Sequence, residues 1–157
     1  MLSKNKLVTN LGDIATALSA IKDFKNLAEA VNSIFEDILD VEYNELYLVD
    51  PSSNKLSLYF SKGFTDQEKI DAENTAMERH PGLVLENKEI LNIADTKTDK
   101  SDVDSKIKFK IRSRIWLPVM NKNKSVGAFG LASAEPNKFN KEHIETLKFV
   151  CVIAGVV

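Results

Sequence analysis

Residues 111–132 run IRSRIWLPVM, NKNK, SVGAFGLA. The first ten alternate. Ile111, Ser113, Ile115, Leu117 and Val119 fall on one face of a strand, while Arg112, Arg114, Trp116 and Pro118 fall on the other. Successive side chains of a strand point to opposite sides of the pleat, so this spacing predicts extended chain. Asn121-Lys122-Asn123-Lys124 is a polar turn, and 125–132 returns as the partner strand. Gly127 and Gly130 within it imply a close backbone approach or a bulge.

The same period recurs upstream. ELYLVD at 45–50 places Leu46 and Leu48 on one face and Tyr47 and Val49 on the other. KLSLYF at 55–60 places Leu56, Leu58 and Phe60 together. Asp50-Pro51-Ser52-Ser53-Asn54 between them is a run of turn formers, so the pair reads as a hairpin. Thr65 with Glu68 forms a capping box that opens a helix to about Arg79, thinly apolar at Ile70, Ala72, Ala76 and Met77 and therefore lightly anchored. His80-Pro81-Gly82 is expected to end it, since the residue before proline is pushed out of the helical region. A short strand covers Ile90 to Ile93. The charged stretch 95–110, DTKTDKSDVDSKIKFK, reads as a long loop with one helical turn near 103–108.

Helices flank this core. Leu7, Leu11, Ile14, Leu18 and Ile21 are spaced four, three, four, three, the seam of a helix that packs on its own domain or dimerises in parallel with its copy. Asn26 and Glu29 box the start of a second helix whose apolar residues are Leu27, Val31, Ile34, Phe35, Ile38 and Leu39. Asn140 caps a final helix carrying Ile144, Leu147, Val150, Cys151, Ala154 and Val157. Its closing run CVIAGVV lacks stop signals, which leads to the expectation of a domain taken from a longer protein.

The whole chain has 157 residues, 43% of them hydrophobic and 28% charged, the balance of one ordinary globular domain. Lys and Arg number 21 against 23 Asp and Glu, for a net charge of −2. That composition lacks the excess cation a nucleic-acid binder needs. A single cysteine excludes an internal disulfide. No apolar run approaches the roughly 18–20 residues of a membrane span, and MLSKNKLVTNLGD has no signal core. No direct membrane insertion is expected, and the compartment is expected to be the cytoplasm.

The order α-α-β-β-α-β-β-β-α, with IRSRIWLPVM followed by SVGAFGLASAEPNKF and a last helix, resembles the GAF domain family over residues 26–157. The helix-then-hairpin opening at 27–60, the step Ile93-Ala94-Asp95 before a variable loop, and Phe139 before the last helix support the resemblance. It implies an α+β fold related to PAS domains. A central antiparallel sheet of five or six strands would carry the N- and C-terminal helices on one face and a ligand cleft on the other. Residues 1–25 would be a signalling or dimerisation helix. PAS itself ranks second, because its usual arrangement lacks the long apolar helix before the first hairpin.

The chemistry candidates thin out quickly. Family members that reduce methionine sulfoxide, and those that attach bilin, need cysteines near the cleft, and the one thiol here is Cys151 on the last helix. His80 and His143 make no metal case, and Asp95, Asp99, Asp102 and Asp104 lack the glycine and bidentate glutamate of a calcium loop. His80 as a haem ligand is outweighed by an ordinary helix-end histidine, so neither metal, haem nor bilin is expected. Asn137-Lys138-Phe139 is superficially similar to the signature of cyclic-nucleotide-binding members. The acidic pair that should follow is replaced by His143-Ile144, so that binding is not carried over.

Trp116 with Arg112 and Arg114 suits a planar or anionic ligand. The alternative is a core tryptophan with arginines paired to acids. Tyr59, Phe60, Met77, His80, Asp95 and Phe109 complete the candidate cleft, and a one-residue register error would reverse its face. The resemblance implies a non-catalytic sensory domain of a larger signal-transduction protein, such as a two-component kinase, a cyclase or a phosphatase. It would bind an unidentified small molecule and relay through terminal helices as a homodimer, in contact with adjacent domains of its chain. The alternative is a structural dimerisation or transmission module with no ligand.

Overall fold

The computed structural model describes residues 41–98 and 111–155. The two expected N-terminal helices, with the seam read at Leu7, Leu11, Ile14, Leu18 and Ile21, the expected turn near 103–108 and Phe109 lie outside the described residues. In chain order the elements are β1 (Tyr43–Asp50), β2 (Lys55–Lys62), α1 (Asp66–Thr75), a 3-10 turn (Ala76–Glu78), α2 (His80–Asn87), β3 (Leu91–Ile93), β4 (Ser113–Asn121), β5 (Lys124–Ser133) and α3 (Lys141–Ala154). The strands form a five-stranded antiparallel sheet in the order β2-β1-β5-β4-β3.

The hairpin turns form as their residues require. The Asp50 carboxylate accepts from the Ser52 amide (2.9 Å) and hydroxyl (2.8 Å), and Asn54 takes a left-handed φ of 56°. Those bonds to Ser52 hold the Asp50 carboxyl below its ordinary range. Lys122 makes the corresponding left-handed step between β4 and β5.

Alternation along the strands sorts the core into two layers. Leu46, Leu48, Ile115, Leu117, Val119, Phe129 and Leu131 pack on one side against Phe139, Leu147, Val150 and Cys151 at and within α3. Burying a leucine such as Leu147 completely is worth about 1.5–3 kcal/mol, so α3 is held by its apolar stripe. On the other side Tyr47, Leu56, Trp116 and Ala128 meet Ala76 and Val84 from the helical segment.

Two expectations are corrected. Phe60 does not share a face with Leu56 and Leu58. The register slips between Leu46 and Tyr47, which pair with Phe60 and Leu58 in turn, so Tyr59 is the extra residue of a bulge. Phe60 is thereby turned to the α3 side, where its ring stands 6.3 Å from Phe129. The middle helix also does not simply stop at His80-Pro81-Gly82. It ends at Thr75, and the same three residues open α2, with the proline in its first turn. Proline lacks only an amide hydrogen that no helix start can use, so the motif starts a helix as readily as it ends one.

The N-terminus of α3 carries a capping box in which histidine stands where glutamate is usual. Asn140 Oδ1 accepts from the His143 amide at 2.9 Å, and the Asn140 amide donates to His143 Nδ1 at 3.3 Å. Nδ1 accepts only while the ring is neutral. Burial of the imidazole, helped by the Lys138 charge, lowers its pKa below the ordinary 6.5, against a bond to the Lys138 main chain and the Glu142 charge. A base with a depressed folded-state pKa contributes stability that is present above 6.5 and is lost as pH falls through the folded value. Wild-type protein should therefore lose urea resistance relative to His143→Gln as pH drops from 6.5 to that value, with no further loss below it. Glutamine accepts the same bond at every pH, so parallel pH profiles for the two proteins would overturn the assignment.

Candidate functional site

The sheet face opposite α3 is the floor of the candidate site. β1 contributes Tyr43, Glu45 and Tyr47, which alternate with the core leucines. β4 contributes Arg114 and Trp116, and β5 contributes small residues beneath them. Trp116 is paired across the sheet with Gly130. A Cβ at position 130 would lie 2.6 Å from the indole ring, so only glycine lets the ring lie flat on the strand. The ring also meets Tyr47 at 6.0 Å between centroids. The 3-10 turn and α2 close over it with Ala76 and Val84.

Within this apolar packing sits a buried polar group. Arg114 is 4% exposed and His80 is fully buried, with Arg114 Nη1 3.4 Å from His80 Nδ1. A guanidinium has no acceptor, so Arg114 donates and the imidazole nitrogen accepts. Nearby, the Tyr47 hydroxyl donates to the Glu45 carboxylate, and Arg79 Nη2 reaches the Tyr47 oxygen at 3.5 Å. Burial, reinforced by the Glu45 charge, pushes the Tyr47 phenol well above its ordinary pKa, with Arg79 opposing. Tyr47 is thus a neutral hydrogen-bond donor at any working pH.

The described residues leave little room on this floor. The hollow lined by Tyr43, Glu45, Phe64, Arg114, Trp116 and Gly130 has a volume of about 20 Å³, enough for one water. Among the described residues no group of three or more His, Cys, Asp and Glu side chains is placed to hold a metal ion, and no helix is long and apolar enough to cross a membrane.

Of the sequence-nominated residues, Trp116, Arg114 and His80 meet at this floor. Arg112 and Asp95 instead join each other where the chain leaves and re-enters the 99–110 segment, through a two-pronged pair at 3.1 and 2.7 Å. The Arg112 bonds, with the Lys97 amide, lower the Asp95 pKa. Tyr59 and Phe60 both border a separate open groove of about 380 Å³ between β2 and α1. Tyr59 is 53% exposed there, while Phe60 also packs into the α3-side layer. Met77 is half exposed. Sequence reading missed Glu45 and Arg79 and did not single out Tyr47 as a site residue. Alternation with Leu46 and Leu48 was the available signal for the two β1 residues. Nothing local marked Arg79.

The comparisons with known proteins agree with this architecture. A family profile described as GAF domain matches residues 22–157. No curated protein sequence matches the chain. Among solved structures it is similar to the GAF domain of the Acinetobacter phosphoenolpyruvate-protein phosphotransferase, at 18% identity and a TM-score of 0.78, over 99% of this chain and 93% of that one. The corresponding Coxiella burnetii domain gives 16% identity and a TM-score of 0.80, over 96% and 92%. The free methionine-R-sulfoxide reductase of Neisseria meningitidis, solved with its substrate, gives 18% and 0.79, over 99% and 91%. At these identities the likeness establishes the fold.

Proposed function

Because the chain belongs to the GAF domain family, we propose that it is a non-catalytic regulatory domain that senses a small polar molecule at the Trp116 floor and relays its presence through terminal helices to neighbouring domains. The observation that carries this reading is the buried pair Arg114 and His80 within an otherwise apolar layer. Burying a guanidinium costs several kcal/mol unless its partners compensate fully, and packing alone is served as well by an apolar side chain. A small anionic group that takes hydrogen bonds from Arg114 at the hollow beside Trp116 fits this chemistry.

Sulfoxide reduction, the activity named for the Neisseria neighbour, is a poor match. Reduction of a sulfoxide takes two electrons, which a protein supplies from thiols. The single cysteine, Cys151, lies on α3 in the opposite layer, and burial pushes its thiol up to about 12. Homodimerisation, a cytoplasmic setting and service in a two-component protein belong to the same proposal and rest on the family alone.

The small hollow favours a second reading, a transmission module whose cleft is filled by its own tryptophan. Trp116 is the only tryptophan in the chain, so its emission reports the cleft directly. Native and denaturing mass spectrometry of the purified protein would be read beside that emission. The sensor reading expects a stoichiometric adduct that is lost on unfolding, with Trp116 emission shifting when the adduct is removed. A protein without adduct whose emission ignores an anionic metabolite library supports the filled module.

A further inference from the structure

Helix α1 has no buried residue, and its one large aliphatic, Ile70, is 54% exposed. Apolar burial therefore does not hold it to the sheet. Its capping box at Thr65 and Glu68 stabilises the first turn but is internal to the helix. Polar contacts do the fastening. Near its end, the Glu73 carboxylate accepts from the Leu58 amide of β2 at 2.6 Å. Beyond its end, Arg79 folds back over it.

Arg79 stands between the 3-10 turn and α2 with extended backbone, φ −116° and ψ −164°. That break in helix frees its side chain to turn back on α1. Nε donates to Thr75 Oγ1 at 2.8 Å, and Nη2 donates to the Ala72 carbonyl at 2.9 Å. Carbonyls of a last helical turn lack partners within the helix, and a cation there also complements the helix dipole. The last turn of α1 contains no basic residue, so Arg79 supplies that charge from outside. The same Nη2 reaches the Tyr47 hydroxyl, which is committed to Glu45.

We propose that Arg79 is a latch that straps α1 to the floor of the site through Tyr47, and that an occupant engaging Glu45 or Tyr47 unfastens it. The first half stands on the geometry alone, and the second rests on the sensor reading above. At 3.5 Å the Arg79–Tyr47 contact is the loose joint of the chain, while its bonds to α1 are short. Competition at the floor therefore breaks the strap from the sheet and leaves α1 itself intact. Occupancy is converted into release of one surface helix, without unfolding of the core.

Hydrogen exchange on the whole protein without added ligand tests the latch. Arg79→Gln and Tyr47→Phe should each speed exchange across 66–78 by about tenfold, the effect of losing a charge-assisted bond. The double variant should be no faster than the faster single, and β4 and β5 should stay at wild-type protection. Unchanged exchange at 66–78 in Arg79→Gln overturns the latch. So does release by Glu73→Gln alone with Arg79→Gln silent, because the Leu58 contact would then be the fastener. Tyr47→Phe with wild-type exchange overturns the link to the floor. A latch that passes while no adduct or emission change is found refutes the sensor reading and with it the second half only.

Discussion

Replacing Trp116 with alanine should lower the stability of the domain by about 3–5 kcal/mol, the range for deleting a large buried aromatic. The indole is covered by Tyr47, Ala76 and Val84 and lies on Gly130, so its removal strips contacts from both floor and roof. Gly130 and Ala128 beside the ring are too small to fill the gap. Urea unfolding followed by circular dichroism measures the loss, since the variant has no tryptophan to follow. Trp116→Phe should recover part of it. A loss below about 1 kcal/mol would mean that the ring is not a core element, and the filled-cleft reading would fall with it.

Gly82→Ala should cost about 3 kcal/mol, at the upper end of ordinary overpacking. A Cβ at this position would stand 2.1 Å from the Met77 carbonyl oxygen and 2.6 Å from its carbon. Both are backbone atoms, so no side-chain rotation relieves the clash. The 3-10 turn and α2 must separate, and α2 carries the buried His80 and Val84. Gly82 is therefore needed for close approach and not for a left-handed turn, which among the described glycines falls to Gly63. The measurement is a urea transition with hydrogen exchange at 76–87. A change within about 0.5 kcal/mol, the range of a neutral surface substitution, would show that the junction is loose.

Much of the scaffold is legible in the sequence. Alternation at 45–50 and 111–120 assigned Leu46, Leu48, Ile115, Leu117 and Val119 to one side and Tyr47 and Trp116 to the other, as found. The capping box at Thr65 and the cap at Asn140 formed as read. The thin apolar content read from Thr65 to about Arg79 foretold a lightly anchored helix, and α1, though shorter, has no buried residue. These features are local: strand pleat, turn chemistry and helix ends act over two to four residues, so their signals survive in the linear order.

The site was less legible. Phe60 changed sides because a bulge opposite Leu46 and Tyr47 inserted one residue into β2, and alternation says nothing about where a partner strand slips. Arg112 met Asp95 across the 99–110 segment and left Arg114 to His80. Arg79 acquired its role only when α1 ended at Thr75 and the floor brought Tyr47 within reach, 32 positions away.

By itself, then, the sequence determined the five strands and the last helix, the two faces of the central strands and the GAF family. The tertiary structure decided which polar side chains share a floor, how far Trp116 closes it and what holds α1 in place. The division has a physical cause. Backbone geometry repeats along the chain and writes itself as periodicity, whereas register, closure and side-chain pairing are set between segments far apart in sequence.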